Sequence, residues 1–397
     1  MLEMMLGGPK PKAEFRVVKA SNCDQNDLTL LTGDGRLYVR GSSAKYTVGN
    51  GGTGEYSKTW GLVDTGVVDF CAESPGLLYR KNDGTLWISG TYYGLGYNST
   101  NARSRIDITA NVPGEALAIG IKKMIKGLRN TYLLLKDGSV YAAGSTSNGM
   151  LADPSSNVNI TTFIKISTPA AGFPDGVTIT DIAMAYWTDT QSVYFLAENG
   201  ILYGLGNGSR GALGATAMDS SNYRLVQVTG NVVRMAAGMG CLYVENSGGT
   251  LFGIGSALYG QIGRTYTNTT GTYYNSFGVL KAFTNSDHSW HIGMNRIWIR
   301  DGSVWSYYGV ENSSGSAGTT AGIPTAAIGP TVITPGLEAF ATATLICEHR
   351  YSTTSLAIMN GELYGCGYTY PPYDVLPGVA MGAVSSTFKK LDLSGIA

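Results

Sequence analysis

The stretch YLLLKDGSVYAAG at 132–144 decides the fold. An apolar run enters the Asp137-Gly138 turn and a second apolar run leaves it, ending on Gly144. Asp-Gly between two such runs is a strong hairpin signal, and a type I′ turn with positive φ at both central residues is the expected form. The phrase recurs around Gly35 (LTLLTGDGRLYVRG), Gly84 (LLYRKNDGTLWISG), Gly200 (VYFLAENGILYGLG), Gly249 (CLYVENSGGTLFGIG), Gly302 (IWIRDGSVWS) and Gly361 (SLAIMNGELYGCG). That makes seven copies, with successive turn glycines 49, 54, 62, 49, 53 and 59 residues apart. A strand-built repeat of this length means a propeller or a solenoid.

Two further strands flank each hairpin. RVVKA at 16–20, VVDFCA at 67–72, IKKMI at 121–125, ITDIAMA at 179–185 and VVRMAA at 232–237 precede it, with less regular copies near 289–292 and 344–347. A fourth strand follows at 60–64, 105–108, 162–166, 223–228, 277–283, 331–333 and 387–391, and no amphipathic helix interrupts the series. Four antiparallel strands repeated seven times predict an all-β, seven-bladed β-propeller. A linear solenoid would need polar capping repeats, whereas the first and last hairpins are as apolar as the middle ones. The expected organisation is a tail at 1–12 and one propeller at 13–397, shut by packing of the first blade on the last.

The hairpin pattern DG-x-[VL]-[YW]-x-x-G is followed in several copies by a Gly-x-[Leu/Ile]-Gly segment. The segments are Arg210-Gly211-Ala212-Leu213-Gly214 and Tyr259-Gly260-Gln261-Ile262-Gly263, with echoes at Tyr93-Gly94-Leu95-Gly96 and Asn148-Gly149-Met150-Leu151. In this the chain, over roughly 15–393, resembles the regulator of chromosome condensation repeat, whose fold is a seven-bladed propeller. The family's histidine at the start of the second strand is missing from all seven copies. The matching positions hold Asn26-Asp27, Gly76, Asn130-Thr131, Gln191-Ser192, Gly240-Cys241, Asn295 and Ser352. With its long loops, that departure implies a distant bacterial or bacteriophage branch, and the family's nucleotide-exchange activity does not carry over.

Charged residues make up only 14% of the chain, and 28 basic side chains balance 28 acidic ones. A neutral, sparsely charged surface offers no electrostatic footprint for nucleic acid or an anionic membrane. No apolar run is long enough to span a bilayer. Five cysteines without a CxxC pair read as reduced, buried thiols. His288 and His291 lie three apart in an extended segment, so no shared metal is expected, and no zinc-ligand spacing occurs. Gly206-x-Gly208-x-x-Gly211 spells the dinucleotide fingerprint, but GALGATAMDSSNY has no helical period to open a phosphate site, so no cofactor is expected. The turn aspartates Asp34, Asp83, Asp137 and Asp301 are chosen for their backbone habits.

Function is therefore sought where the repeats differ. The long segments all fall between the third and fourth strands, at 42–59, 91–103, 145–161, 207–222, 256–276, 307–330 and 368–387, which puts them on one face of the disc. They are rich in Asn, Ser, Thr and Gly around tyrosines, among them Tyr92, Tyr93, Tyr97, Tyr273, Tyr274, Tyr307, Tyr308, Tyr368, Tyr370 and Tyr373. Tyrosine supplies a large stiff contact surface and the small polar residues supply adaptable hydrogen bonds, as in a paratope. In each doubled pair one ring is expected to face outward. Met1, Leu2, Met4, Met5 and Leu6 form an apolar patch joined by a Gly/Pro hinge, read as a tail that is either disordered or an anchoring peptide for a partner. The expected function is a non-enzymatic structural or binding propeller of a bacteriophage virion, such as a tail, fibre or decoration component. It would contact other virion proteins and a host-surface glycan or protein. A polysaccharide-degrading enzyme using loop carboxylates and a bacterial inhibitor propeller stay open as alternatives.

Overall fold

A computed structural model describes residues 15–24, 27–41, 58–73, 76–90, 104–127, 129–146, 149–152, 158–187, 190–214, 225–258, 260–264, 273–293, 296–309, 331–332, 344–346, 354–368, 376–380 and 383–396. Among these, 28 strands form seven antiparallel sheets of four, each built from consecutive strands in chain order. The blades cover 17–64, 67–107, 121–165, 179–229, 232–282, 288–332 and 344–390. The last strand, Val384–Lys390, pairs with Glu362–Tyr368 of its own repeat, and among the described residues no strand is shared across the seam between blades 7 and 1. One short helix, Gly114–Ile119, was not legible as a period; it sits in the connection from blade 2 to blade 3 and buries Ala116. No helix among the described residues is long and apolar enough to cross a membrane.

The hairpin turns correct the expected turn type. In blades 1 to 4 the loop has three residues rather than two. Gly138 N–H donates to the Leu135 carbonyl at 3.1 Å, and Leu135 N–H donates to the Ser139 carbonyl at 2.8 Å. Only the glycine of this turn has positive φ, 85°. That is a type I turn closed by one left-handed residue, the common three-residue hairpin. Asp137 earns its place by accepting the Ser139 N–H at 2.9 Å, as Asp83 accepts that of Thr85 at 2.9 Å. The type I′ form occurs at Asn360-Gly361, with φ of 52° and 81°.

The turn glycine also joins one blade to the next. Its carbonyl accepts the N–H that opens the neighbouring inner strand: Gly35 from Val67 at 2.8 Å, Gly138 from Ile179 at 3.2 Å, and Gly200 from Val232 at 2.9 Å. The seam repeats the joint, with Gly361 accepting from Val17 at 2.7 Å. A side chain at Gly138 would stand 2.8 Å from Ile179 N and 2.6 Å from Thr178 Cγ2. Beside the inserted helix the joint is absent, and Gly84 has open space around it.

The apolar core is divided between the blades. One cluster joins Leu78, Leu86 and Ile88 of blade 2 to Met124, Leu133 and Tyr141 of blade 3; the other neighbouring pairs repeat this, blade by blade. At the seam Val17, Leu28, Leu30 and Tyr38 pack on Leu356, Leu363, Leu376 and Leu391. Both faces of a blade are thus covered, and successive strand residues are buried regardless of which way they point. In the second strand of blade 3, Asn130–Leu135, all six residues are buried.

Glycine at the joint is set by its φ and by its closeness to the next blade. Gly84→Ala is expected to cost about 1–2 kcal/mol from the left-handed backbone alone. Gly138→Ala adds a clash with fixed backbone and should cost at least about 1 kcal/mol more. Denaturant midpoints of the two variants check the order.

Candidate functional site

The connections between third and fourth strands leave from the same end of each blade as the turns between first and second strands. This follows from the antiparallel order within every sheet. The Asp-Gly turns stand at the opposite end. The described residues show how the long loops are rooted. In blades 3, 4 and 5 a fully buried tyrosine of the second strand donates its hydroxyl to a loop carbonyl 18 residues on. The bonds are Tyr132 to Met150 at 2.6 Å, Tyr194 to Ala212 at 3.1 Å, and Tyr243 to Gln261 at 3.2 Å. Beside each bond the loop drops an apolar residue into the blade, Leu151, Leu213 or Ile262. Mid-strand glycines make room for it in blades 4, 5 and 7: a Cβ at Gly204 would lie 2.5 Å from Leu213, and one at Gly365 would lie 2.5 Å from Leu376. The Gly-x-[Leu/Ile]-Gly segments are therefore loop roots. Gly206 to Gly211 belongs to such a root, and turns rather than a helix follow it.

The tyrosines divide. Tyr273 opens the outer strand Tyr273–Ala282 of blade 5 and is 49% exposed. Its neighbour Tyr274 is half-buried under the Arg264 guanidinium, 4.4 Å from the ring centroid. Arg264 in turn donates to the carbonyls of Ser276 and Phe277 at 3.0 and 3.3 Å, pinning the start of that strand. Tyr368 is half-buried at the end of Glu362–Tyr368. Tyr307 and Tyr308 correct the expectation of one outward ring. Both lie in the strand Val304–Tyr308 and are 1% and 7% exposed. Tyr307 packs with Trp298, Trp305 and Ala357, while Tyr308 packs with Trp290 and Leu280 and donates to the Leu280 carbonyl at 2.7 Å. A blade has two covered faces, so alternation does not expose one of a pair. Tyr92, Tyr93, Tyr97, Tyr370, Tyr373 and the patch Met1, Leu2, Met4, Met5 and Leu6 lie outside the described residues.

A polar feature around the axis escaped the sequence reading. In blades 1 to 5 the inner strand carries a bulge after its first residue, and the next residue is charged: Lys19, Asp69, Lys123, Asp181 and Arg234. Lys19 pairs with Asp69, and Lys123 with Asp181, each at 2.7 Å across neighbouring blades. Lys19, Lys122 and Arg234 also donate to the carbonyls of Phe70, Thr180 and Trp290 on the next blade's inner edge, at 2.5, 2.8 and 2.6 Å. Aligning the five inner strands on their third residue shows the alternation of sign.

Beside Arg234, between blades 5 and 6, titratable groups concentrate. Glu245 accepts Trp290 Nε1–H at 2.7 Å and meets His288 Nε2 at 2.7 Å. His288 stacks on Phe283, with centroids 3.9 Å apart. Burial works against its charged form, but the Glu245 carboxylate and the Asn285 carbonyl outweigh it, and the His288 pKa is raised. His291 lies deeper, and burial, with Arg234 and Arg300 adding to it, lowers its pKa to about 4. The two rings work in opposite senses. The contribution of His288 is complete below its unfolded value near 6.5 and is lost as pH rises through its higher folded value. For His291 stability is complete above 6.5 and falls as pH drops toward 4, by on the order of 3 kcal/mol in all. Thermal unfolding between pH 4 and 6.5 checks this: His291→Gln should show a shallower loss of Tm toward acid than the parent chain. Tyr194→Phe should cost about 1 kcal/mol and speed amide exchange at 211–214 without unfolding the blade.

No family model and no curated protein sequence matches the chain. Solved structures do. Prp20p from Saccharomyces cerevisiae is similar with a TM-score of 0.72 and 17% identity, over 94% of this chain and 87% of that one. Yeast RCC1 (Prp20) in its complex with Kap60 gives 0.69 and 14%, over 99% and 90%. Human WBSCR16 gives 0.65 and 15%, over 85% and 86%. The chain accordingly has the fold of the RCC1-type seven-bladed propeller.

Proposed function

We propose that the chain is a non-catalytic propeller that binds a protein or glycan partner through its loop face. The observation that carries this reading is the rooting of the long third-to-fourth-strand connections at one end of the blades, by the same tyrosine bond in three of them. A scaffold that fixes loop bases while leaving loop sequences free to differ suits recognition. The similar Prp20p was studied for its binding to Gsp1p and histones, and the similar yeast RCC1 was solved bound to Kap60, which supports a propeller that holds protein partners. In its finer form the reading places the chain in a bacteriophage particle, with the loops turned to a host-surface glycan or protein. Support for that part comes from the neutral, sparsely charged, Tyr/Asn/Ser-rich sequence. Within the described residues Tyr273 is the exposed aromatic contact at the loop face, held in place by the Tyr274–Arg264 stack beside it.

Flow cytometry of the labelled chain on a panel of bacterial cells tests the reading. Replacing 310–330 by a Gly-Ser linker, or Tyr273→Ala, should weaken binding at least about tenfold, the loss of one contact worth 1.4 kcal/mol. Val233→Ser at the turn end should leave binding unchanged. Loss confined to the turn-end variant would move the contact surface to the other face.

A further inference from the structure

Asx-Gly pairs close six of the seven hairpins, and one of the six is held differently from the rest. Glycine after asparagine or aspartate leaves its own amide nitrogen unhindered, so the side-chain carbonyl before it is open to attack by that nitrogen. In five of these turns two hydrogen bonds stand in the way. The glycine N–H is engaged: Gly35 donates to the carbonyl of Thr32, Gly84 to Lys81, Gly138 to Leu135, Gly200 to Ala197 and Gly302 to Asp287, at 2.9–3.1 Å. The side chain before it is engaged too. Asp34 accepts from Arg36, Asp83 from Thr85, Asp137 from Ser139, Asn199 from Ile201 and Asp301 from Asn285. At Asn360-Gly361 neither bond is present among the described residues. In this two-residue loop the ladder bonds belong to Met359 and Glu362, which leaves the Gly361 N–H without a partner. Asn360 is exposed, and its side chain has no partner either.

We infer that Asn360-Gly361 is a site of spontaneous covalent modification, at which the Gly361 amide closes on the Asn360 side chain. The Gly361 nitrogen gives its proton to solvent and bonds to Asn360 Cγ, the Cγ–Nδ2 bond breaks, and ammonia leaves. Water then opens the resulting five-membered imide. Opening at Cγ gives aspartate at 360, and opening at the backbone carbonyl gives isoaspartate, with no change of oxidation state in either case. The Arg16 side chain lies against the turn, its Nε 3.0 Å from where a Gly361 Cβ would stand. A cation placed there favours the amide anion that attacks. Asn207-Gly208, in a loop root, is restrained at its side chain, whose Oδ1 accepts the Ser209 N–H at 2.8 Å. The pairs at Asn50 and Asn148 lie outside the described residues. The consequence falls on the seam, because the Gly361 carbonyl accepts the Val17 N–H at 2.7 Å. Isoaspartate adds one methylene carbon to the main chain just before Gly361, so the two-residue turn loses its register and the Val17 bond weakens. The inference is independent of what the loop face binds.

The test incubates the full chain in mildly alkaline buffer and follows each Asn-Gly pair by peptide mapping with mass spectrometry. Asn360 should lose its amide at least about fivefold faster than Asn199 or Asn207, the factor that one ordinary hydrogen bond is worth. A smaller ratio would overturn the inference, as would an intact Asn360 once the unfolded chain has converted all its Asn-Gly pairs. The second readout is amide exchange in the aged chain, separated by its added charge. Val17 should exchange several-fold faster than in fresh chain, with Val67, Ile179 and Val232 unchanged. Asn360→Gly keeps residues suited to this turn and removes the reacting side chain, so its Val17 amide should stay protected on ageing. Equal exchange at Val17 in fresh and aged chain, or the same loss of protection in Asn360→Gly, would overturn the link to the seam.

Discussion

One hydrogen bond recurs between the blades, from the amide that opens an inner strand to the carbonyl of the previous blade's turn glycine. It forms at Gly35, Gly138, Gly200 and Gly361 with the same partner position each time. The bond uses a left-handed residue, and at Gly35, Gly138 and Gly200 the backbone of the next blade stands within 3.2 Å of where a Cβ would go, while at Gly361 the Arg16 side chain does. Each bond is worth only about 1 kcal/mol net, so its effect is geometric. It sets how one sheet leans on the next, and the apolar clusters between blades supply most of the cohesion. The seam uses the same bond, and among the described residues the first and last repeats exchange no strand.

Covering the inner three strands of every blade leaves polar chemistry to the two ends, the axis and the outer rim, where fourth strands such as Asn159–Lys165 and Tyr273–Ala282 are largely exposed. At the axis, charges of alternating sign step round blades 1 to 5 and tie neighbours in pairs. These pairs are partly exposed, and each is worth about 0.2–1 kcal/mol, so they tune the ring rather than hold it. An odd number of blades cannot alternate all the way round. Where the pattern ends, Arg234 turns to the Trp290 carbonyl and lies 4.2 Å over the Trp290 ring, and the cluster of Glu245, His288 and His291 fills the interface. At the loop end, buried tyrosines fix the roots, which lets the connections vary without disturbing the blade.

Much of this was legible in the sequence because a turn glycine, an Asx before it and an apolar strand are local signals. The blade count and the four strands per blade follow from that text, whereas the closing register is settled by the pairing of Val384–Lys390 with Glu362–Tyr368. Turn geometry was less legible, since Asp-Gly serves both a two-residue and a three-residue hairpin, and only the hydrogen bonds of Leu135, Gly138 and Ser139 separate them. Tyr307 and Tyr308 misled for a different reason: period-two reasoning assumes one wet face, and the third strand of a blade, unlike the outer strand that carries Tyr273, is covered on both. The ion belt and the Glu245–His288 contact join residues about 43 to 58 positions apart on neighbouring blades, a spacing that a single repeat does not display. The tyrosine bonds to Met150, Ala212 and Gln261 had a readable signature, a tyrosine 17 residues before the first glycine of each Gly-x-[Leu/Ile] segment or its echo, which the repeat spacing brings out.

Site-resolved hydrogen exchange on the native chain tests the closure most directly. The amides of Val67, Ile179 and Val232 sit in interior joints and that of Val17 sits in the seam. Equal structure predicts protection of Val17 within the range spanned by the other three. Exchange of Val17 at the rate of an unstructured amide, with the other three protected, would contradict a ring closed by one repeated joint.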